Sequence, residues 1–243
     1  MVNILKAEYQ KTRRSMGRAF VWGFPMITLV LAFVLTLGMT NSYAESVWNW
    51  WYTLLLPGML AILCELSMKQ EKKTGYYNLM TISTSKRKLM LGKIVYLACV
   101  VLVSNVLIFA GASFGGLLLT TCVPFGGAAV AVLALTAAQL WEIPLLLFLS
   151  GRFGMITELF ICLFLTVGGT MIAPTRIWYL LVSSIPMRIL CPLLHILPNG
   201  IRAEAGNPLL DTGVVVPGIC LSVIWFIFAT VLFFVWFDKR EAD

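Results

Sequence analysis

Apolar residues run along this chain in long blocks, and the polar positions between them are few and clustered. At about 20 residues per crossing, the blocks predict six membrane-spanning helices at 19–39, 47–66, 94–119, 128–149, 155–174 and 214–237. The first contains Pro25, whose freed carbonyl a neighbouring helix would satisfy. Between Ile94 and Trp141 no residue is charged. That stretch is too long for one crossing, and the turn signal Cys122-Val-Pro-Phe-Gly-Gly127 divides it into two. The second span opens on Trp48, Trp50, Trp51 and Tyr52, the aromatic girdle expected at a membrane interface. The pattern describes one transmembrane domain over 1–243, without an internal repeat.

One polar insert breaks the pattern. Residues 65–93 hold seven of the eighteen basic residues: Lys69, Lys72, Lys73, Lys86, Arg87, Lys88 and Lys93. Lys and Arg flanking a span mark its cytoplasmic side. The centre of the insert, Thr74 to Ser85, carries Tyr76, Tyr77, Leu79 and Met80, too apolar for a freely solvated loop, and predicts a short helix offered to a cytoplasmic partner. Six crossings then put both termini in the cytoplasm. Fifteen basic residues fall inside and three outside, Arg176, Arg188 and Arg202.

Two further segments depart from plain spans. Residues 2–18 mix Ile4, Leu5, Tyr9 and Met16 with Lys6, Lys11, Arg13, Arg14 and Arg18, which suits an interfacial helix on anionic inner headgroups and equally a merely basic tail. Ser42-Tyr43-Ala44 after the first apolar run resembles a signal-peptide cleavage site. That run, however, exceeds the about 7–15 residues of a signal-peptide core, so an uncleaved first span is expected. Between spans 5 and 6, Thr175 to Gly213 is apolar yet interrupted by Arg176, Arg188, His195 and Pro186, Pro192, Pro198 and Pro208. It predicts two short outer helices, re-entrant or interfacial, packed on the bundle.

Composition sharpens the class. Of 243 residues, 60% are hydrophobic and 12% charged, far from a soluble balance. The fold class is therefore all-α integral membrane. The net charge of +7 sits in loops, so it speaks for topology and lipid contact and against nucleic-acid binding. The six cysteines lack ligand spacing and behave as small hydrophobes; Cys122 and Cys191 alone fall outside the bilayer, where a pair is conceivable.

No metal-binding, P-loop or catalytic motif is present, so no catalytic residue and no metal or cofactor site is expected. Three acids lie in or near spans. Glu65 and Glu158 read as helix-end carboxylates. Glu142, beside Pro144, is deeper, and suits either a bend lining a translocation path or a buried structural hydrogen bond. Gly111, Ala112, Ser113, Gly115 and Gly116 suit close helix packing. In the outer segment, Trp178, Tyr179 and Arg188 could offer a substrate surface or belong to a lid.

The order of the polar insert is its most specific feature: Glu71, Gly75, the run Tyr76 to Met80, Lys86-Arg87-Lys88, then Gly92-Lys93. In this it resembles the membrane subunits of type-2 ATP-binding-cassette exporters, although Ile82 to Ser85 stands where those often carry a Pro. The resemblance implies that Glu71, Gly75, Tyr76, Tyr77, Leu79 and Met80 contact a separate cytoplasmic ATPase, present in two copies and carrying the ATP and Mg. It also implies a second six-span permease, similar or identical, in a bacterial plasma membrane. Asn49-Trp-Trp-Tyr52, Leu56-Pro57 and Leu197-Pro-Asn-Gly200 are similar to permeases of lantibiotic-immunity exporters, which implies an antimicrobial peptide substrate. Export of another amphipathic drug or lipid, a non-transport scaffold or sensor, and an ion-coupled carrier acting through Glu142 are the alternative readings.

Overall fold

The computed structural model describes residues 1–13, 16–37, 42–73, 75–76, 85–119 and 123–239. Among these residues ten α-helices follow in order: α1 (Val2–Arg13), α2 (Gly17–Leu35), α3 (Tyr43–Trp50), α4 (Leu56–Lys72), α5 (Lys86–Leu119), α6 (Phe125–Gln139), α7 (Glu142–Phe153), α8 (Met155–Ile172), α9 (Ser184–Leu194) and α10 (Val215–Asp238). Six helical stretches are long and apolar enough to span a bilayer: Gly17–Leu35, Tyr43–Lys72, Lys86–Leu119, Phe125–Phe153, Met155–Ile172 and Thr212–Asp238. All six expected spans are therefore present among the described residues, and four of them, the second, third, fourth and sixth, run beyond their expected bounds.

The second span contains a π-helical turn, Trp51–Leu55, between α3 and α4. Pro57 follows it, and the amide of Leu56 reaches back five residues to Trp51 O. Because α3 begins at Tyr43, the aromatic cluster lies a turn or more inside the helix. Trp48, Trp51 and Tyr52 are buried in the bundle and do not form an exposed girdle. Trp51 Nε1 donates to Asn105 Oδ1 on α5 at 2.7 Å, giving the buried indole N–H its partner.

At 1.5 Å per residue, the 34 residues of α5 run about 50 Å, well beyond a bilayer core of about 30 Å. The surplus is at its start, so Lys86, Arg87 and Lys88 are helical and not loop residues. Arg87 pairs there with Asp238 at the end of α10, at 2.6 Å. The small residues of α5 act as foreseen: a Cβ on Gly111 would meet Leu29, and one on Gly115 would meet Tyr43.

The fourth span is broken between α6 and α7. Pro144 has no N–H to give Leu140 O and its ring clashes with that carbonyl, so the chain turns at Leu140 and Trp141. The connection from α7 to α8 is Gly154 alone, at φ +88°, a conformation that favours glycine.

Between spans 5 and 6 the structure has one α-helix where two were expected. The chain forms 3-10 turns at Trp178–Leu180, Pro208–Leu210 and Thr212–Val214 around α9. Helix α9 is almost wholly buried against α6, α8 and α10. Glycines make its slot: a Cβ on Gly127 would lie 2.0 Å from Leu193 O, one on Gly169 2.7 Å from Ser183 O, and one on Gly218 2.5 Å from Ile189 Cγ2. His195 ends α9 in the left-handed region at φ +58°, and an antiparallel bridge between Ile196 and Arg202 closes the tight loop beyond it. Cys191 is a free, buried thiol; Cys122 lies outside the described residues.

Candidate functional site

At the end of the bundle that carries the polar insert, the helices that enter and leave that insert are clamped together by α1. Lys93 Nζ, on α5, lies 3.0 Å from Glu8 Oε2 and 3.1 Å from Glu71 Oε1, and donates to Ser67 Oγ at 2.8 Å. Lys11 Nζ lies 2.8 Å from Glu8 Oε1 and 2.7 Å from Glu71 Oε1. Two carboxylates thus meet two ammonium groups, and Lys93, Glu8 and Glu71 are buried. Gly92 permits the approach, since a Cβ there would lie 2.3 Å from Ile4 Cγ2. The Gly92-Lys93 pair is a docking seat for α1.

Burial works to lower the pKa of Lys11, but the Glu8 and Glu71 carboxylates outweigh it and hold the amine above its ordinary 10.5. A raised folded pKa stabilises the protein fully below the unfolded value and loses effect as pH rises through the folded one. The Lys11 contribution is therefore expected to persist through neutral pH and to fade only in strongly alkaline solution, which a thermal-unfolding series across pH would register.

The loop residues divide. The amide of Gly75, at φ +54°, donates to Lys72 O, and that of Tyr76 donates to Glu71 O, both at 3.0 Å. This is the Schellman pattern that ends a helix on glycine. Tyr76, only 2% exposed, packs edge-on against Phe237 of α10 with ring centroids 6.0 Å apart. Tyr76 and Glu71, which the resemblance assigns to an ATPase contact, are buried within this chain, where the Schellman turn holds Tyr76 against α10. Tyr77, Leu79 and Met80 lie outside the described residues.

Deeper in the bundle, Glu142 accepts from Gln139 Nε2 across the helix break, and Cys162 Sγ lies 3.6 Å from its Oε1. It is buried between α6, α7 and α8, so the bend at Pro144 is filled by side chains. Of the two acids read as helix-end groups, Glu65 accepts from Ser150 Oγ. Glu158 is 0% exposed and neither of its oxygens has a hydrogen-bond partner among the described residues. Span length alone hides this, because its helix α8 starts only three residues earlier yet packs directly on α4 and α7.

At the opposite end, Arg188 is buried, and its guanidinium donates to Leu209 O at 2.6 Å and Pro208 O at 3.4 Å. It pins the final 3-10 turns onto α9. Trp178 is partly buried beside Gly218, whereas Tyr179 is 49% exposed. An open groove of about 360 Å³ lies elsewhere, lined by Asn49, Trp50 and Thr53 of the second span, Thr166 and Thr170 of α8, and Asn199. Gly200, at φ +83°, sits where a Cβ would be 2.7 Å from Asn49 Nδ2. The two motifs Asn49 to Tyr52 and Leu197 to Gly200, far apart in sequence, therefore meet. Thr166 and Thr170 were missed. Their spacing of four on one helix face was the available signal, but their apolar neighbours masked it.

Six long apolar helices and a basic insert clamped at one end, among the described residues, define a multi-pass membrane protein. Residues 4–201 match the sequence profile of the ABC-2 family transporter proteins, and the chain belongs to that family. Its members are membrane transport subunits that work with an ATPase partner. No curated protein and no solved structure matches the chain.

Proposed function

We propose that this chain is the permease subunit of a bacterial plasma-membrane exporter that expels lantibiotic-type antimicrobial peptides. It would act with a second permease, similar or identical, and two copies of a cytoplasmic ATPase that holds the ATP and Mg. The observation that carries the substrate reading is the meeting of Asn49-Trp-Trp-Tyr52 with Leu197-Pro-Asn-Gly200 at the groove beside α8. The groove combines an aromatic face at Trp50 with amide and hydroxyl groups, a chemistry suited to an amphipathic peptide whose apolar side remains in lipid. The π-turn behind it widens the helix just where these side chains emerge, and such turns recur at functional sites.

Work would reach the groove through the inner end. Tyr77, Leu79 and Met80 would be the apolar foot offered to the ATPase, with Glu71, Gly75 and Tyr76 as its root. Force on the foot passes along α4 and α5, which Lys93 and Glu71 couple. In cells producing the full transporter, Trp50→Ala is expected to raise the peptide concentration for half-maximal ATPase stimulation about tenfold, the loss typical of an aromatic anchor. Unchanged stimulation would remove the groove from the peptide path. Alanine at Tyr77, Leu79 and Met80 together is expected to abolish resistance while the subunit still reaches the membrane; retained resistance would exclude the foot as the ATPase contact.

A further inference from the structure

A second cavity, of about 260 Å³, opens between α1, α2 and α5. Its rim carries Arg13 and Arg18, and its wall descends through Tyr9 and Trp22 to Cys99 and Val103. Both arginines are exposed, and neither meets a carboxylate among the described residues. The acids that α1 meets, its own Glu8 and Glu71 of α4, are already committed, since Lys11 and Lys93 neutralise them. Among the described residues the cavity therefore presents two positive charges without a carboxylate partner beside an apolar, aromatic wall.

The geometry points to a binding site for one anionic phospholipid, with its phosphate between Arg13 and Arg18 and an acyl chain along Trp22 and Val103. Guanidinium groups suit a phosphate through charge-assisted, often bidentate hydrogen bonds, and basic pockets between spans at the inner leaflet take anionic headgroups. Such a volume falls just below the about 300–1,000 Å³ of small-molecule clefts. It accommodates a headgroup and the start of one chain, with the remainder in the bilayer. A soluble anion would leave the apolar wall in contact with lipid tails as before and would gain only the rim. The bound lipid ties α1, and through Glu8 the clamp on Lys93, to the charge of the membrane.

The test uses the full chain in nanodiscs and reads two signals. Native mass spectrometry after titration with phosphatidylglycerol is expected to retain one lipid per chain, while phosphatidylcholine is not retained. The double variant Arg13→Gln, Arg18→Gln is expected to weaken retention roughly 25-fold, taking about fivefold per basic residue near a membrane surface. Lys6→Gln, on the same helix but outside the cavity, leaves it unchanged. Independently, maleimide labelling of Cys99 is expected to slow in phosphatidylglycerol and not in phosphatidylcholine, with the exposed Cys220 on α10 as internal reference. Equal retention of the two lipids, an unaffected double variant, or equal competition by glycerol 3-phosphate alone would overturn the site. Disulfide-linked pairs of chains through Cys99 would assign the cavity to a second copy and overturn it too.

Discussion

Replacing Lys93 with Met is expected to lower the thermal unfolding temperature of the purified subunit by about 10 °C. Lys93 is the only ammonium group of the clamp that is fully buried, and it serves Glu8, Glu71 and Ser67 at once. Removing one partner of a buried ion pair strands the other charge and typically costs about 3–5 kcal/mol. At about 2–4 °C per kcal/mol for a chain of this size, the shift is large and readily measured. Lys11 remains to neutralise one carboxylate, so the second, buried, bears the loss. Neutralising that acid as well should recover much of the stability: Glu71→Gln with Lys93→Met is expected to unfold several degrees above Lys93→Met alone. Additive losses in this double-mutant cycle would mean that Glu71 and Lys93 do not interact. The functional consequence follows the same contact. The double variant folds but no longer couples α4 to α5 electrostatically, so transport should fall further than stability does.

Gly127→Ala is expected to destabilise the subunit by about 6–12 °C, while Gly126→Ala beside it leaves stability unchanged or slightly higher. The two residues are neighbours on α6 and differ only in what they face. A Cβ on Gly127 would lie 2.0 Å from the backbone oxygen of Leu193, whereas around Gly126 nothing stands within 4 Å. Backbone cannot rotate aside as a flexible side chain can, so the cost lies at or above the top of the about 1–3 kcal/mol usual for overpacking. At Gly126 the substitution gains the about 0.5–1 kcal/mol by which Ala exceeds Gly inside a helix. Limited proteolysis should locate the Gly127→Ala effect at 175–213, because the displaced element is α9. Equal melting temperatures for the two variants would mean that α9 does not occupy the slot between α6, α8 and α10.

These contacts mark where the linear pattern stops being informative. The basic triplet Lys86 to Lys88 reads as loop because its charges interrupt the hydropathy, yet helix α5 carries it without a break. Charge decides depth in a membrane and says little about whether the backbone stays helical. Trp48, Trp51 and Tyr52 read as an interface girdle by composition. Their burial depends on where α3 starts, and on Asn105 lying opposite, 54 positions away. Glu71 and Tyr76 carried the resemblance to the family's loop and were expected to face outward. The Schellman turn at Gly75 instead directs Tyr76 to Phe237, a partner at the far end of the chain.

What the sequence determined alone was the class: an all-helical, six-span membrane protein with one basic insert. Crossing a bilayer demands only local length and apolar content, because each helix satisfies its own backbone hydrogen bonds. What the tertiary structure alone decided was pairing: Glu8 with Lys93, Arg188 with the carbonyls of Pro208 and Leu209, Gly127 with Leu193, and Asn49 with Gly200. Lipid tails are as apolar as the helix surfaces, so hydrophobicity brings no particular pair together. Small residues and buried polar groups choose the neighbours, and their choices span distances that no local pattern records.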